Sequence, residues 1–362
     1  MMRPLRVVIT ADPDLPVPPR LYGGIERVIA LLVDGLVARG HDVTLLAHRD
    51  SVVRGILIPY ASAGRGTRAT MVNTAAIVRS VLGRRPDVVH SFARLATLAP
   101  LLPWPVRKVM SYQRAITPRS VEWGRRLGRG TLTFVSCSRR MLDGLPNPRG
   151  WRVIYNAVDL GAFAFVPSIA ADAPLVFLGR IEHIKGAHVA IGVARRANRR
   201  LILAGNVPAG HQDYFDRSIR PHVDGDRVSY VGPVDDPAKR RILGGAAALL
   251  MPILWEEPFG IVMAEALACG TPVIGLSRGA VPEVIDHGRT GFVCRDEAEM
   301  VSAVEAVRTL DRHACRNAAE QRFSQRALVD AYEALYDELA ARRVPAPAGA
   351  SLDGRHALDR NR

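Results

Sequence analysis

The sequence predicts an α/β protein built from two doubly wound parallel-sheet domains that face a cleft, followed by a C-terminal helix. Three observations lead there. The chain has 362 residues, more than one ordinary hydrophobic core accommodates. Short continuous apolar runs alternate with amphipathic stretches, the pattern of strands buried on both faces and the helices that cover them. That alternation pauses over residues 161–174, "GAFAFVPSIAADAP", and then restarts, so two β/α units follow one another.

The elements of the first unit follow in order. "LRVVIT" (5–10) reads as a buried strand, and a proline-rich loop with Pro13, Pro16, Pro18 and Pro19 comes next. "GGIERVIALLVDGLVARG" places Ile25, Val28, Ile29, Leu32 and Leu36 on one helix face, and Gly40 stops that helix. "DVTLLAH" (42–48), "DVVHSF" (87–92), "KVMSY" (108–112) and "LTFVSCS" (132–138) are further strands with helical or irregular stretches between them. "WRVIYNAVDL" (151–160) is expected to close this unit.

In the second unit, "LVFLGR" (175–180) is a strand, "AHVAIGVARRAN" (187–198) a helix and "RLILAGN" (200–206) a strand. "RVSYVGPV" (227–234), "AALLMPIL" (247–254) and "TPVIGL" (271–276) complete its strands. The expected organisation is a domain over 1–165, a second over 166–322, an amphipathic helix over 323–343 and a flexible tail over 344–362.

Composition narrows the function classes. Hydrophobic residues make up 48% and charged residues 23% of the chain, as in globular proteins. No apolar run approaches the roughly 18 residues that span a bilayer. The opening "MMRPLRVVIT" enters a strand without a signal-peptide core, so a cytoplasmic location is expected. Cys137, Cys269, Cys294 and Cys315 show no C-x-x-C spacing and read as reduced packing residues.

The net charge of +14 is uneven. Residues 1–165 carry 24 basic and 10 acidic side chains, and residues 166–362 carry 25 of each. A basic half points to an anionic partner: a membrane surface, an acidic acceptor or nucleic acid. An arginine-rich composition alone is the competing explanation, since Lys108, Lys185 and Lys239 are the only lysines. Nucleic acid fits least, because no basic segment interleaves aromatics.

Three stretches carry the chemistry. "LYGGIERV" sets Gly23 and Gly24 at the start of a helix, where backbone N–H groups can face an anion. This is neither a G-x-G-x-x-G fingerprint nor a Walker loop, and a plain turn fits it as well. "FLGRIEHIKGAHVAI" puts Arg180 and Lys185 at the C-terminal edge of a parallel strand, where ligands bind in such folds. A forked guanidinium and an ammonium suit a diphosphate; two solvated surface charges are the alternative. "LWEEPFGIVMAEALACGTPVIG" holds Glu256, Glu257 and Glu265 beside or within an apolar helix that Gly270 ends. Capping of that helix would explain Glu257. Glu265 sits among Val262, Met263, Ala264, Ala266, Leu267 and Ala268; a charge there needs polar partners, and sugar or ribose hydroxyls would serve.

Taken together, "GGIERV", "VIYNAVDL", "FLGRIEHIKG", "LILAG", "EEPFGIVMAEALACGTPVIG" and "GAVPEVIDHGRTGFV" resemble, in the same order, the family 4 retaining glycosyltransferases. The likeness runs over about residues 5–340 and is most specific at Glu257-x7-Glu265. It implies the GT-B fold, two Rossmann-like domains with the acceptor on the N-terminal side, and a UDP- or GDP-sugar as donor substrate. By the same resemblance Glu257 would bind the transferred sugar and Glu265 the ribose. Arg180 and Lys185 would hold the diphosphate and stabilise the leaving group. The backbone at Phe259, Gly260 and Ile261 would add N–H donors, Gly24 (with Gly23) would approach the diphosphate, and Val234 would line the base through its backbone. No metal and no further cofactor are expected. Transfer would proceed by front-face displacement, the departing phosphate oxygen taking the acceptor's proton.

One departure stands out. The family often shows D-V-V-H-x-H, and this chain has "DVVHSF", with Phe92 in place of the second histidine. Either His90, Tyr112, Gln113 or Arg114 takes over on the acceptor side or the acceptor is bound differently, and His90 is either an acid/base or a buried structural histidine. The competing functions are a GT-B chain that binds nucleotide sugar without transfer, a sugar-nucleotide epimerase, which would lack the paired glutamates, and a nucleic-acid binder, for which no motif is present. The acceptor could be a glycan, a lipid-linked molecule or a small molecule, and the basic half could contact an anionic membrane surface peripherally.

Overall fold

The computed structural model describes residues 3–20, 23–64 and 66–341. The expected tail over 344–362, and the last two residues of the expected helix over 323–343, lie outside them.

Two wholly parallel sheets form the frame. The first is built from β1 (Arg6–Thr10), β2 (Asp42–Ala47), β3 (Ile56–Pro59), β4 (Val88–Ser91), β5 (Arg107–Tyr112), β6 (Leu132–Ser136) and β7 (Arg152–Val153). Its order is β3-β2-β1-β4-β5-β6-β7, and β1 pairs with β2 (Val7 opposite Val43) and with β4 (Val7 opposite Val88). The second contains β8 (Leu175–Leu178), β9 (Leu201–Ala204), β10 (Val228–Tyr230), β11 (Ala248–Met251), β12 (Val273–Leu276) and β13 (Gly291–Cys294), in the order β10-β9-β8-β11-β12-β13. In each sheet the strand order reverses in the middle, at β1/β4 and at β8/β11. Parallel α/β sheets bind ligands beside such switch points, beyond the carboxyl ends of the strands.

The inner strands are largely apolar because both faces are covered, and successive residues serve opposite faces. Val7 and Ile9 of β1 pack under α1 (Gly24–Ala38) and α11 (Gln325–Ala341), whereas Val8 faces the layer of α2 (Thr67–Arg84), the 3₁₀ segment Leu95–Leu101 and α3 (Pro118–Gly128). In the second domain Leu175 and Phe177 face α4 (Ala187–Arg196) and α9 (Glu297–Ala306), which also covers Ile274. Val176 and Leu249 pack on the other side with α6 (Asp236–Gly244), α7 (Ile261–Ala268) and α10 (Arg312–Arg322). Two short helices, α5 (Gln212–Ser218) and α8 (Val281–Val284), complete the second domain.

The C-terminal helix closes the fold in an order the chain does not announce. α10 packs on α7 in the second domain, but α11 crosses back and buries Leu328, Val329, Tyr332, Leu335, Tyr336 and Leu339 in the core of the first. Gly35 lets the two helices touch, since a Cβ there would collide with Val329. The crossing is pinned where the Val158 N–H donates to Phe323 O at 2.8 Å.

Several elements differ from the sequence reading. "WRVIYNAVDL" contributes only Arg152–Val153 to the sheet. Trp151 is instead held in the core, stacked on Phe134 at 5.0 Å, and the chain then leaves the sheet edge for the second domain. "AALLMPIL" stops as a strand at Met251, because Pro252 cannot continue the ladder. β3 and β13 went unread. β3 ends on Pro59 and is only partly buried, the mark of an edge strand without a clear apolar run.

Candidate active site

A cavity of about 380 Å³ lies at the carboxyl edge of the second sheet, against the start of α1. The first domain supplies Gly23, Gly24 and Arg27; the second supplies Leu178, Gly179 and Arg180 after β8, Gly205 and Asn206 after β9, Pro233 and Val234 after β10, Lys239 from α6, and Ile261, Val262 and Glu265 from α7. The expected residues Gly23, Gly24, Arg180, Val234, Ile261 and Glu265 therefore share one cavity. Gly24 approaches the second domain closely: a Cβ there would lie 3.3 Å from the Ile261 side chain across the domain boundary, a tight contact. Arg180 pairs with the buried Glu182 at 2.7 Å, which fixes its guanidinium at the cavity edge.

Each glutamate of the E-x7-E pattern has a lysine. Glu265 is 4% exposed at its side chain and accepts from Lys239 Nζ at 2.5 Å. The counter-charge thus comes from α6, which answers how a carboxylate survives inside an apolar helix. Glu257 is 11% exposed and accepts from Lys185 Nζ at 2.5 Å and from Trp255 Nε1 at 2.9 Å. Lys185 also sits over the Trp255 ring. Glu257 does not cap α7: that helix opens on Gly260 in the left-handed region (φ 72°), with no side chain bonding its first turn. Lys185, Glu257, Phe259 and Gly260 do not line the 380 Å³ cavity. Phe259 is a core side chain against Tyr155 and Phe323. Glu256 and Pro258, on either side of Glu257, line a second cleft of about 440 Å³ with Ala115, Ile116, Pro118, Arg140, Met141 and Leu145. Glu256 itself is exposed and accepts from the Gly279 N–H at 2.8 Å.

His90 needs correction as a candidate acid/base. It is fully buried, with Nδ1 bonded to Tyr336 Oη, Nε2 2.7 Å from Ser111 Oγ, and its ring against Phe92 and Tyr332. Burial pushes its pKa down to about 3. The imidazole is a neutral core group under α11. Phe92, in place of a second histidine, is likewise core.

Three polar residues meet at the carboxyl edge of the first sheet instead. Arg114, after β5, donates to Asp12, after β1, at 2.6 Å. Glu26, in the first turn of α1, is held protonated more easily than a free glutamate by burial and by nearby Asp12. Nearby, Gln113 accepts from Asn156 at 2.8 Å.

The sequence reading missed Lys239, Arg27, Asn206, Asp12 and Glu26. One signal was available for Lys239: 49 residues are basic and only three are lysine, yet two of those three hold the paired glutamates. Arg27 pairs with Asp236 at 2.7 Å across the cleft, and Lys239 lies 3.6 Å from the same carboxylate. An ionic chain thus runs Arg27–Asp236–Lys239–Glu265 from the first domain to the cavity wall of the second.

Two family models match the chain. A model described as Glycosyltransferase Family 4 matches residues 22–162, and one described as Glycosyl transferases group 1 matches residues 173–309. The chain belongs to the family 4 glycosyltransferases. Glycogen synthase of Mycobacterium tuberculosis is 28% identical over 351 residues, 80% of this chain and 83% of the relative. N-acetyl-alpha-D-glucosaminyl L-malate synthase of Bacillus anthracis is 35% identical over 119 residues, 31% of this chain and 30% of the relative. Among solved structures, AviGT4, a glycosyltransferase of avilamycin A biosynthesis, superposes with a TM-score of 0.73 at 26% identity, covering 94% of this chain and 99% of that one. Anabaena HepE, described in complex with UDP and glucose, shares the fold at a TM-score of 0.72 and 17% identity, over 92% and 100% of the two chains. The glycosyltransferase therefore has the GT-B architecture, with its cavity between two Rossmann-like domains. No helix among its described residues is long and apolar enough to cross a membrane.

Proposed function

We propose that this glycosyltransferase transfers a sugar, with retention of anomeric configuration, from a UDP- or GDP-sugar to an acceptor held by the first domain. The observation that carries the reading is the cavity with Glu265 in its wall, Arg180 at its edge and the Gly23–Gly24 turn opposite. A nucleoside diphosphate sugar fits that set: the Glu265 carboxylate takes ribose hydroxyls, the Arg180 guanidinium takes phosphate oxygens, and the Gly24 backbone and first turn of α7 offer N–H groups. The donor's sugar end would lie toward Glu257 and Lys185. In this reading Glu257 accepts from sugar hydroxyls while Lys185, freed from it, stabilises the departing diphosphate. Protein cations supply the stabilisation that a metal supplies in other transferases, and His90 takes no part. Asp12, Glu26 and Arg114 face the acceptor. The basic first half is the side that would meet an anionic membrane surface.

A panel of sugar nucleotides tests this by thermal shift, since a bound donor raises the midpoint with concentration. With the donor so found, Glu257→Ala and Lys185→Ala should each cut turnover by a hundredfold or more, as loss of one charge-stabilising group does. Full activity in both variants would overturn the assignment. A second reading, nucleotide-sugar binding without transfer, is favoured by Phe92. It requires donor stabilisation with no transfer to any acceptor.

A further inference from the structure

The excess positive charge of this protein is densest over one stretch of its first half. Residues 51–142 hold sixteen arginines and lysines against two acids, Asp87 and Glu122. That stretch contains α2, the Leu95–Leu101 segment and α3, which all cover the same side of the first sheet. The opposite side is covered by α1 and α11, and α11 brings Asp330, Glu333, Asp337 and Glu338. The first domain is therefore polarised across its sheet.

Large apolar side chains stand out on the basic side. On α3, Val121, Gly124 and Gly128 are turned into the fold, and Trp123 is 62% and Leu127 41% exposed. Trp123 lies four residues after Arg119, and Arg126 and Leu127 lie three and four after Trp123, so the four form one outward stripe. Arg119, Arg126 and Arg129 are exposed, and among the described residues none of the three has an acidic partner. On α2, Met71 is 67% and Leu82 56% exposed. An exposed tryptophan and leucine between arginines suits the boundary between lipid headgroups and acyl chains, where the apolar groups insert and the guanidinium groups meet phosphates. A soluble polyanion would use the charges and leave Leu82, Leu127 and Met71 in water.

We propose that the α2/α3 face of this protein seats on an anionic lipid surface, with Trp123 and Leu127 as its apolar anchors. This deepens the reading above, on which it rests for the enzyme's orientation. α3 begins at Pro118, which lines the 440 Å³ cleft together with Glu256 and Pro258, the neighbours of Glu257. The seated face therefore adjoins the proposed reaction centre, as an acceptor carried by lipid requires.

Sedimentation of the full chain with phosphatidylcholine vesicles, with and without phosphatidylglycerol, tests the proposal. At low ionic strength the chain should bind only the vesicles that contain phosphatidylglycerol, and added salt should weaken binding. Tryptophan emission should shift to the blue on binding in the wild type and not in Trp123→Phe. Arg119→Ser/Arg126→Ser/Arg129→Ser should lose about a hundredfold in vesicle affinity and keep its donor-induced thermal shift. Equal binding to both vesicle types, no binding to either, or an emission shift that persists in Trp123→Phe would overturn it. So would binding to a DNA oligonucleotide as strong as to the vesicles with no Trp123 shift. If vesicles bind and no donor stabilises the chain, the lipid-binding face stands and the enzymatic reading falls; if a donor stabilises it and vesicles do not bind, the face falls alone.

Discussion

Replacing Lys239 with methionine would leave the Glu265 carboxylate buried against apolar α7 without its counter-charge. Breaking a buried pair by removing one partner costs about 3–5 kcal/mol, so Lys239→Met should lower the unfolding free energy in urea by that order. Adding Glu265→Leu should restore much of the loss, because two apolar groups can replace a buried pair, but not the donor-induced thermal shift. His90 makes a different statement at the same scale. Its folded pKa of about 3 lies below the ordinary value of about 6.5. Between those values the unfolded chain binds a proton that the folded chain refuses. The stabilisation is therefore complete above about pH 6.5 and is lost as pH falls toward 3. His90→Gln, which keeps hydrogen-bonding groups near Ser111 and Tyr336, should flatten the stability slope between pH 4 and 6, measured by urea unfolding at several pH values. It should leave the pH profile of kcat where it was.

The loops that end elements set the site. The segment before α8 threads Gly279 (φ 51°) against the backbone of Glu257, leaving no room for a Cβ. The Ala280 N–H donates to Glu257 O at 2.9 Å, so the two loops hold each other. Gly279→Ala adds left-handed strain and displaces the carboxylate that should meet the sugar. A shift of that kind costs about a hundredfold in rate. The expected result is a large fall in kcat, with the nucleotide alone still raising the melting temperature, because the ribose end of the cavity is untouched. Isothermal titration with nucleotide and a turnover assay on the same preparation check it.

Across the whole molecule, two contacts bridge the domains at the cavity: Gly24 against Ile261, and Arg27 with Asp236. The ion pair is partly exposed, so it contributes no more than about 1 kcal/mol. Its position matters more than its strength, because Asp236 also faces Lys239, the partner of Glu265. Arg27→Ala should raise the donor KM about fivefold at low salt and change kcat little, with the difference from wild type shrinking as salt screens the pair. Steady-state kinetics at two ionic strengths measure it.

The sequence by itself determined the repeated β/α rhythm, because strands buried on both faces must be apolar throughout and helices between them must be amphipathic. It also singled out Gly24, Arg180, Lys185, Glu257 and Glu265, because glycines at helix starts and charges at strand ends or inside apolar helices depart from their surroundings. The tertiary structure decided what those residues meet. Lys239 lies 26 residues from Glu265, and Asp12 lies 102 from Arg114, separations that no local pattern expresses. It moved His90 into the core, because α11 returns over the first sheet and seals the imidazole under Tyr332 and Tyr336. It also set the arginines of α2 and α3 on one face, because both helices cover the same side of one sheet.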